Sequence, residues 1–93
     1  SSVDDYLEVQ QIEREIKRLE LSIEQSQKEY AAKKQQIDYM TQDKANRLGA
    51  SSIADAIATK TNSLKQAYDA SISQTQQKIE SLKQRKQQLS QNP

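Results

Sequence analysis

Three carboxylates stand within the first eight residues of the chain. Asp4, Asp5 and Glu8 offer the hard oxygen ligands that Ca²⁺ and Mg²⁺ prefer. The same residues also supply the negative charge that the N-terminal end of a helix dipole attracts. Because residues of helical composition follow them, the pattern predicts a helix start here and no metal site.

The chain offers few other residues that could carry out catalysis. It contains no cysteine and no histidine, so we predict neither a thiolate nucleophile nor a zinc or haem site. Its single glycine excludes the glycine-rich loops that hold phosphates and dinucleotides. Tyr30 and Tyr68 are predicted to face each other, and aromatic stacking explains that pair better than chemistry does. We therefore predict no enzyme activity and no bound cofactor.

The charge of the chain is balanced. Fourteen basic and thirteen acidic residues give a net charge of +1, which does not produce the basic face of a nucleic-acid-binding protein. No run of 18 apolar residues occurs, so this sequence predicts no membrane span. Residues 3–47 contain ten acidic and eight basic residues, and residues 51–93 contain three and six, which favours pairing of the two halves. The predicted partner is a protein, either a second copy or another component.

Two long helices are predicted on either side of Gly49, the one strong helix breaker inside the chain. Ser2 followed by Asp5, and Ser52 followed by Asp55, are typical of helix starts. We expect helix 1 over about residues 3–47, a turn over about 48–51, and helix 2 over about 52–90, with Pro93 beyond its end. Residues 1–93 thus form one helical hairpin, which we expect to be a piece of a larger protein.

Apolar residues recur at steps of three and four along both predicted helices, which is the heptad pattern of a coiled coil. Folding the chain at Gly49, so that facing residue numbers sum to 98, aligns the two patterns without a slip. The predicted fold is therefore all-α, an antiparallel two-helix coiled-coil hairpin. Its seam, the set of apolar positions between the helices, contains Val9, Ile12, Ile16, Leu19, Ile23, Tyr30, Ile37, Met40, Tyr68, Ile72, Ile79, Leu82 and Leu89. Lys33 and Lys65 occupy seam positions in the part nearer the turn.

One long helix that passes through Gly49 and pairs with a second copy is the alternative architecture. A glycine in a helix costs only about 1 kcal/mol, so it does not forbid this arrangement. The helix-capping residues after Gly49 favour the hairpin.

Three apolar residues near the predicted turn lie off the seam, on a flank of helix 2. Ile53, Ile57 and Leu64 have helical spacing and suggest a second contact surface. The alternative is that they cover the turn and widen the apolar stripe of the seam.

Two stretches resemble a known family. The residues Val3-Asp4-Asp5-Tyr6-Leu7, which run into a helix rich in Gln, Glu, Leu and Ile, look like the entry into the α-hairpin of a membrane-fusion (periplasmic adaptor) protein. The stretch Arg47-Leu48-Gly49-Ala50-Ser51 resembles the hairpin tip of that family. The Ser, Gln and Lys content is similar to that of adaptors of ABC-type peptide and bacteriocin exporters in Gram-positive bacteria.

The resemblance implies a projecting hairpin of an export machine that docks neighbouring copies or a partner through its tip and flank. The contact residues it implies are Arg47, Leu48, Ser51, Ile53, Ile57 and Leu64. The protein would then be extracytoplasmic and anchored to the membrane through other parts of a longer chain; otherwise we expect it in the cytoplasm.

Three other functions are compatible with the sequence. The chain could be a coiled-coil scaffold or dimerisation segment of a larger protein. It could be a small secreted helical-hairpin protein, although the Trp-x-Gly of such proteins is absent around Gly49. An amphipathic helix on a lipid surface is disfavoured by the balanced charge.

Overall fold

The computed structural model describes residues 2–91, and this part of the chain is all-α, with no strand. It contains α1 (Val3–Asp38), α2 (Gln42–Arg47) and α3 (Ile53–Gln91). α3 corresponds to the predicted helix 2, and it begins and ends one residue after the predicted bounds. Pro93, predicted to lie beyond that helix, is outside the described residues.

The predicted first helix is divided in two, and this differs from the expected continuous helix over 3–47. The last turn of α1 tightens, since the Met40 N–H donates to the Ile37 carbonyl at 3.0 Å, a bond to residue i−3. Thr41 then has extended backbone angles (φ −109°, ψ 162°), and its hydroxyl accepts a hydrogen bond from the Lys44 N–H at 3.2 Å. Asp43 adds negative charge to the first turn of α2. Thr41 is therefore an N-cap, and it restarts the helix.

Gly49 ends α2 in the left-handed region, with φ 72°. Its N–H donates to the Asn46 carbonyl at 3.0 Å, and the Ala50 N–H donates to the Ala45 carbonyl at 3.0 Å. This pair of bonds is the Schellman motif, in which glycine is favoured because it has no Cβ.

Serine caps begin both long helices. The Ser2 hydroxyl accepts from the Asp5 N–H at 3.1 Å, and the Ser52 hydroxyl accepts from the Asp55 N–H at 3.1 Å. Each bond satisfies one of the backbone donors that a helix start leaves without an intrahelical partner.

The chain divides into two compact units. The terminal unit, in its described part, consists of residues 2–25 and 72–91. The central unit consists of residues 26–71. Both α1 and α3 contribute to each unit, whereas α2 belongs to the central unit alone.

The terminal unit has an aliphatic core between α1 and α3. Buried and partly buried side chains of the predicted seam form one cluster there: Val9, Ile12, Ile16, Leu19, Ile23, Ile79, Leu82 and Leu89. Two ion pairs join the helices beside the core, Arg85 to Glu8 at 3.1 Å and Lys86 to Glu13 at 3.2 Å. Ile72, also a seam residue, is half-buried.

The central unit packs smaller and aromatic side chains. Ala45 on α2 and Ala56 on α3 are fully buried, which lets backbones come close because an alanine adds only a methyl group. The rings of Tyr30 and Tyr68 meet with centroids 4.8 Å apart and planes inclined by 42°, a favourable tilted geometry.

In the central unit, the buried and partly buried positions do not follow the predicted heptad spacing. On α1 the side chain of Lys33 is exposed, and Lys34 is the partly buried one. On α3 the partly buried residue is Leu64, and Lys65 is exposed. The strict three-four spacing therefore placed Lys33 and Lys65 wrongly in the seam. On each helix, two successive four-residue steps replace the strict spacing. They are centred on Tyr30 in α1 and on Tyr68 in α3, and this is the spacing of a coiled-coil stutter.

Candidate protein interaction site

A groove in the central unit has a volume of about 720 Å³. Its large apolar lining residues, which we call its floor, are Ile37, Met40, Leu48 and Leu64. The groove is defined by its full lining, which is Lys33, Gln36, Ile37, Met40, Lys44, Arg47, Leu48, Lys60, Ser63 and Leu64.

Two local features of the chain bring these side chains together. The break before Thr41 takes Met40 out of α1 and starts α2, which carries Lys44 and Arg47. The Schellman motif at Gly49 then turns the chain into α3, which carries the lining residues Lys60, Ser63 and Leu64.

The charged residues that line the groove, which we call its rim, are all basic. They are Lys33, Lys44, Arg47 and Lys60, and no acidic side chain within residues 2–91 lines the groove. Arg47 pairs with the Asp43 carboxylate at 2.7 Å, and both side chains are largely exposed. None of the three lysines makes an ion pair within the described part of the chain. A ligand with a carboxylate beside an apolar group would find both kinds of contact here.

Only some of the predicted tip and flank residues line the groove. Arg47, Leu48 and Leu64 line the groove, and Leu48 keeps 49% of its surface exposed. Ile53, at the start of α3, is 36% exposed but does not line the groove. Ile57 is half-buried and also lies outside the lining.

Ser51 serves the turn instead of the groove, because its hydroxyl donates to the Asp55 carboxylate. This contact reinforces the start of α3, which the Ser52 hydroxyl also caps. Its predicted role in partner contact stays a prediction.

Sequence reasoning missed most of the rim and assigned Ile37 and Met40 to the seam alone. The overlooked signal is Thr41 followed by Asp43, the sequence of a helix start in a region read as continuous helix. A restart at Thr41 would have put Met40 between two helices, next to the basic residues of α2.

The carboxylates at the start of α1 form no metal site among the described residues, where no group of three or more His, Cys, Asp or Glu side chains is placed to hold an ion. Glu8 pairs with Arg85, and the Asp5 N–H is held by the Ser2 cap. In residues 2–91, no helix combines the length and the apolar character that crossing a membrane requires.

In the terminal unit, the ion pair of Glu15 and Arg18 shifts the pKa of both side chains. The Arg18 guanidinium donates hydrogen bonds to the Glu15 carboxylate, one of them from Nε at 2.8 Å. These bonds, followed by charge attraction, lower the pKa of Glu15 below its ordinary value of 4.5 and raise the pKa of Arg18. Both side chains are exposed, so the pair lies at the surface of the unit.

Comparison of the chain with protein-family models, with curated proteins and with solved structures finds no match in any of the three.

Proposed function

We propose that the chain is a non-enzymatic protein–protein interaction module. Its two long helices pair as an antiparallel coiled-coil hairpin, and the groove of the central unit docks a protein. The observation that carries this proposal is the groove itself, an apolar floor within a rim of four cations.

Contacts inside each unit support the paired helices. In the terminal unit, buried residues at steps of three and four on α1, such as Ile12, Ile16 and Leu19, pack in one cluster with Ile79 and Leu89 of α3. In the central unit, Tyr30 meets Tyr68, the partner that a fold point near Gly49 assigns to it.

The exposed apolar surface supports docking at the central unit. Leu48 and Ile53 keep large exposed fractions on either side of the turn, and the groove floor beside Leu48 is open. Apolar side chains in a concave surface with a polar rim form the usual centre of a protein interface.

A more specific form of the proposal makes the chain the projecting hairpin of an export adaptor, outside the cytoplasm and held at the membrane by other parts of a longer protein. The support is the resemblance of residues 47–51 to the hairpin tip of that family. Two residues of this stretch, Arg47 and Leu48, also line the groove. The partner would be a component of the export machinery or a neighbouring copy.

Site-specific photo-crosslinking in cells tests the interaction module. A photoreactive amino acid at Leu48 should form crosslinks to protein, and the same group at Gln27, an exposed position of the central unit on α1, should form few. Lys44→Glu together with Lys60→Glu should reduce the crosslinks from position 48. Equal crosslinking from positions 48 and 27, or none from 48, would contradict the proposal.

The adaptor form has its own test. In producing cells, Leu48→Asp should lower peptide export while the amount of the protein is unchanged, because a charge then lies on the groove floor. Gln27→Asp is the matched control and should leave export intact. Normal export by the Leu48→Asp variant would refute the adaptor form of the proposal and leave the interaction-module proposal standing.

A further inference from the structure

We infer that the groove receives the start of α1 of a second copy of this chain. This inference rests on the proposed function and names the partner of the same site. It is carried by a second surface patch whose chemistry complements the groove.

That surface, the N-terminal patch, comprises Val3, Asp4, Asp5, Tyr6 and Leu7. Val3 is 74% exposed, Tyr6 63% and Leu7 52%. Three large apolar side chains are thus exposed within five residues of a chain in which 33% of the residues are hydrophobic.

The three apolar side chains lie on one face of α1. At 3.6 residues per turn, Val3, Tyr6 and Leu7 lie within about 100° of one another, and Val3 and Leu7 lie opposite to the buried Ile12 and Ile16. The core of the terminal unit therefore leaves them uncovered. Spacing of i, i+3 and i+4 is the anchor pattern of a helix that lies in an apolar groove.

The charges also match. Neither Asp4 nor Asp5 makes an ion pair within residues 2–91, and Lys33, Lys44 and Lys60 on the groove rim make none either. Carboxylates at the start of one copy's α1 would neutralise lysines on the rim of the other, while the apolar side chains cover its floor.

The contact joins two different surfaces, so it is heterologous unless two copies exchange it reciprocally. Reciprocal exchange produces a closed dimer, and one-way contact produces rings or open chains. Either assembly should weaken with added salt, because exposed charges form part of the contact.

A charge-swap experiment tests the inference by sedimentation velocity at several protein concentrations. The donor variant carries Asp4→Lys and Asp5→Lys, and the acceptor variant carries Lys44→Glu and Lys60→Glu. Each alone should associate at least about tenfold more weakly than the unaltered chain, and an equimolar mixture should recover association. Circular dichroism checks that both variants remain helical.

An apolar variant tests the same contact without disturbing the charges at the helix start. Tyr6→Ala with Leu7→Ala should weaken association as strongly as the donor variant does, since these side chains cover the groove floor. Leu21→Ala, at an apolar residue that is 55% exposed outside the patch, should leave association unchanged.

Three results would overturn the inference. They are a chain that stays monomeric at all concentrations, charge variants that associate normally, and a mixture that does not recover. The chain could instead float with anionic phospholipid vesicles in a way that depends on Lys44 and Lys60, while no contact between copies is detected. That result would assign the groove to lipid. Protein crosslinks from position 48 in a monomeric chain would refute the inference and keep the interaction module, whereas absent crosslinks would refute the module itself.

Discussion

The terminal and central units use the same two long helices for different purposes. In the terminal unit, aliphatic side chains at regular steps form a closed core, and two ion pairs join α1 to α3 beside it. In the central unit the helix breaks, the buried positions shift by one residue, and a basic-rimmed groove remains open. One unit buries most of its apolar residues in its own core, and the other leaves part of them exposed.

The shift in spacing gives a physical reason for this difference. A strict three-four repeat keeps the same stripe facing the other helix along its whole length. Two successive four-residue steps, at Tyr30 and Tyr68, rotate that stripe. Leu64 then takes the partly buried position that the strict repeat assigns to Lys65, and Leu64 also lines the groove.

The largest effect is expected from Leu19→Ala, which removes a buried side chain from the core of the terminal unit. The free energy of unfolding should fall by about 2–5 kcal/mol, since a cavity remains where the side chain was. Urea denaturation followed by circular dichroism measures it. Leu21→Ala is the control, and its effect should stay within about 0.5 kcal/mol because Leu21 is exposed. Equal losses in the two variants would contradict the assigned core.

The shifted spacing in the central unit is tested by neighbouring residues on α3. Leu64→Ala should reduce the free energy of unfolding by about 1–2 kcal/mol, because part of the apolar side chain leaves a buried position. Lys65→Ala should change it by less than about 0.5 kcal/mol. A larger loss of stability for Lys65→Ala than for Leu64→Ala in the same urea experiment would support the strict heptad and contradict the stutter.

Thr41→Ala tests the helix break that sets the central unit apart. Loss of the N-cap should cost about 1 kcal/mol of stability. It should also weaken protection of the Lys44 amide against hydrogen exchange, since that N–H donates to the Thr41 hydroxyl. Thr59→Ala, an exposed site inside α3, provides the matched control and should be neutral or slightly stabilising. Unchanged stability with helical chemical shifts through residues 39–41 would show that α1 and α2 can join.

The smallest effect is expected from Glu15→Gln in the terminal unit. Its folded-state pKa is lowered, mainly by the hydrogen bonds from Arg18, so its contribution to stability is present above the ordinary pKa of 4.5. That contribution is lost as the pH falls through the lowered value. The melting temperature of the variant should be slightly below that of the unaltered chain near neutral pH, and the difference should vanish in strong acid. A gap that widens in acid would contradict the assigned pair.

Local signals in the sequence predict much of the backbone. Ser2 and Ser52 cap the helices they were expected to cap, and Gly49 takes the left-handed conformation at the predicted turn. These features depend on a few neighbouring residues, so composition and spacing are sufficient to find them. The resemblance to export adaptors gave a function that stays a prediction.

The sequence by itself determined the all-α class, the starts of the two long helices and the apolar positions that form the aliphatic core of the terminal unit. Each follows from hydrogen bonds or periodicity within a few turns of helix. Tertiary structure decided which of two adjacent residues is partly buried, Lys33 or Lys34 on α1 and Leu64 or Lys65 on α3. It also decided that Met40 lines a groove with Lys60. Such choices depend on packing between helices that are distant in the chain, which a single helical period does not encode.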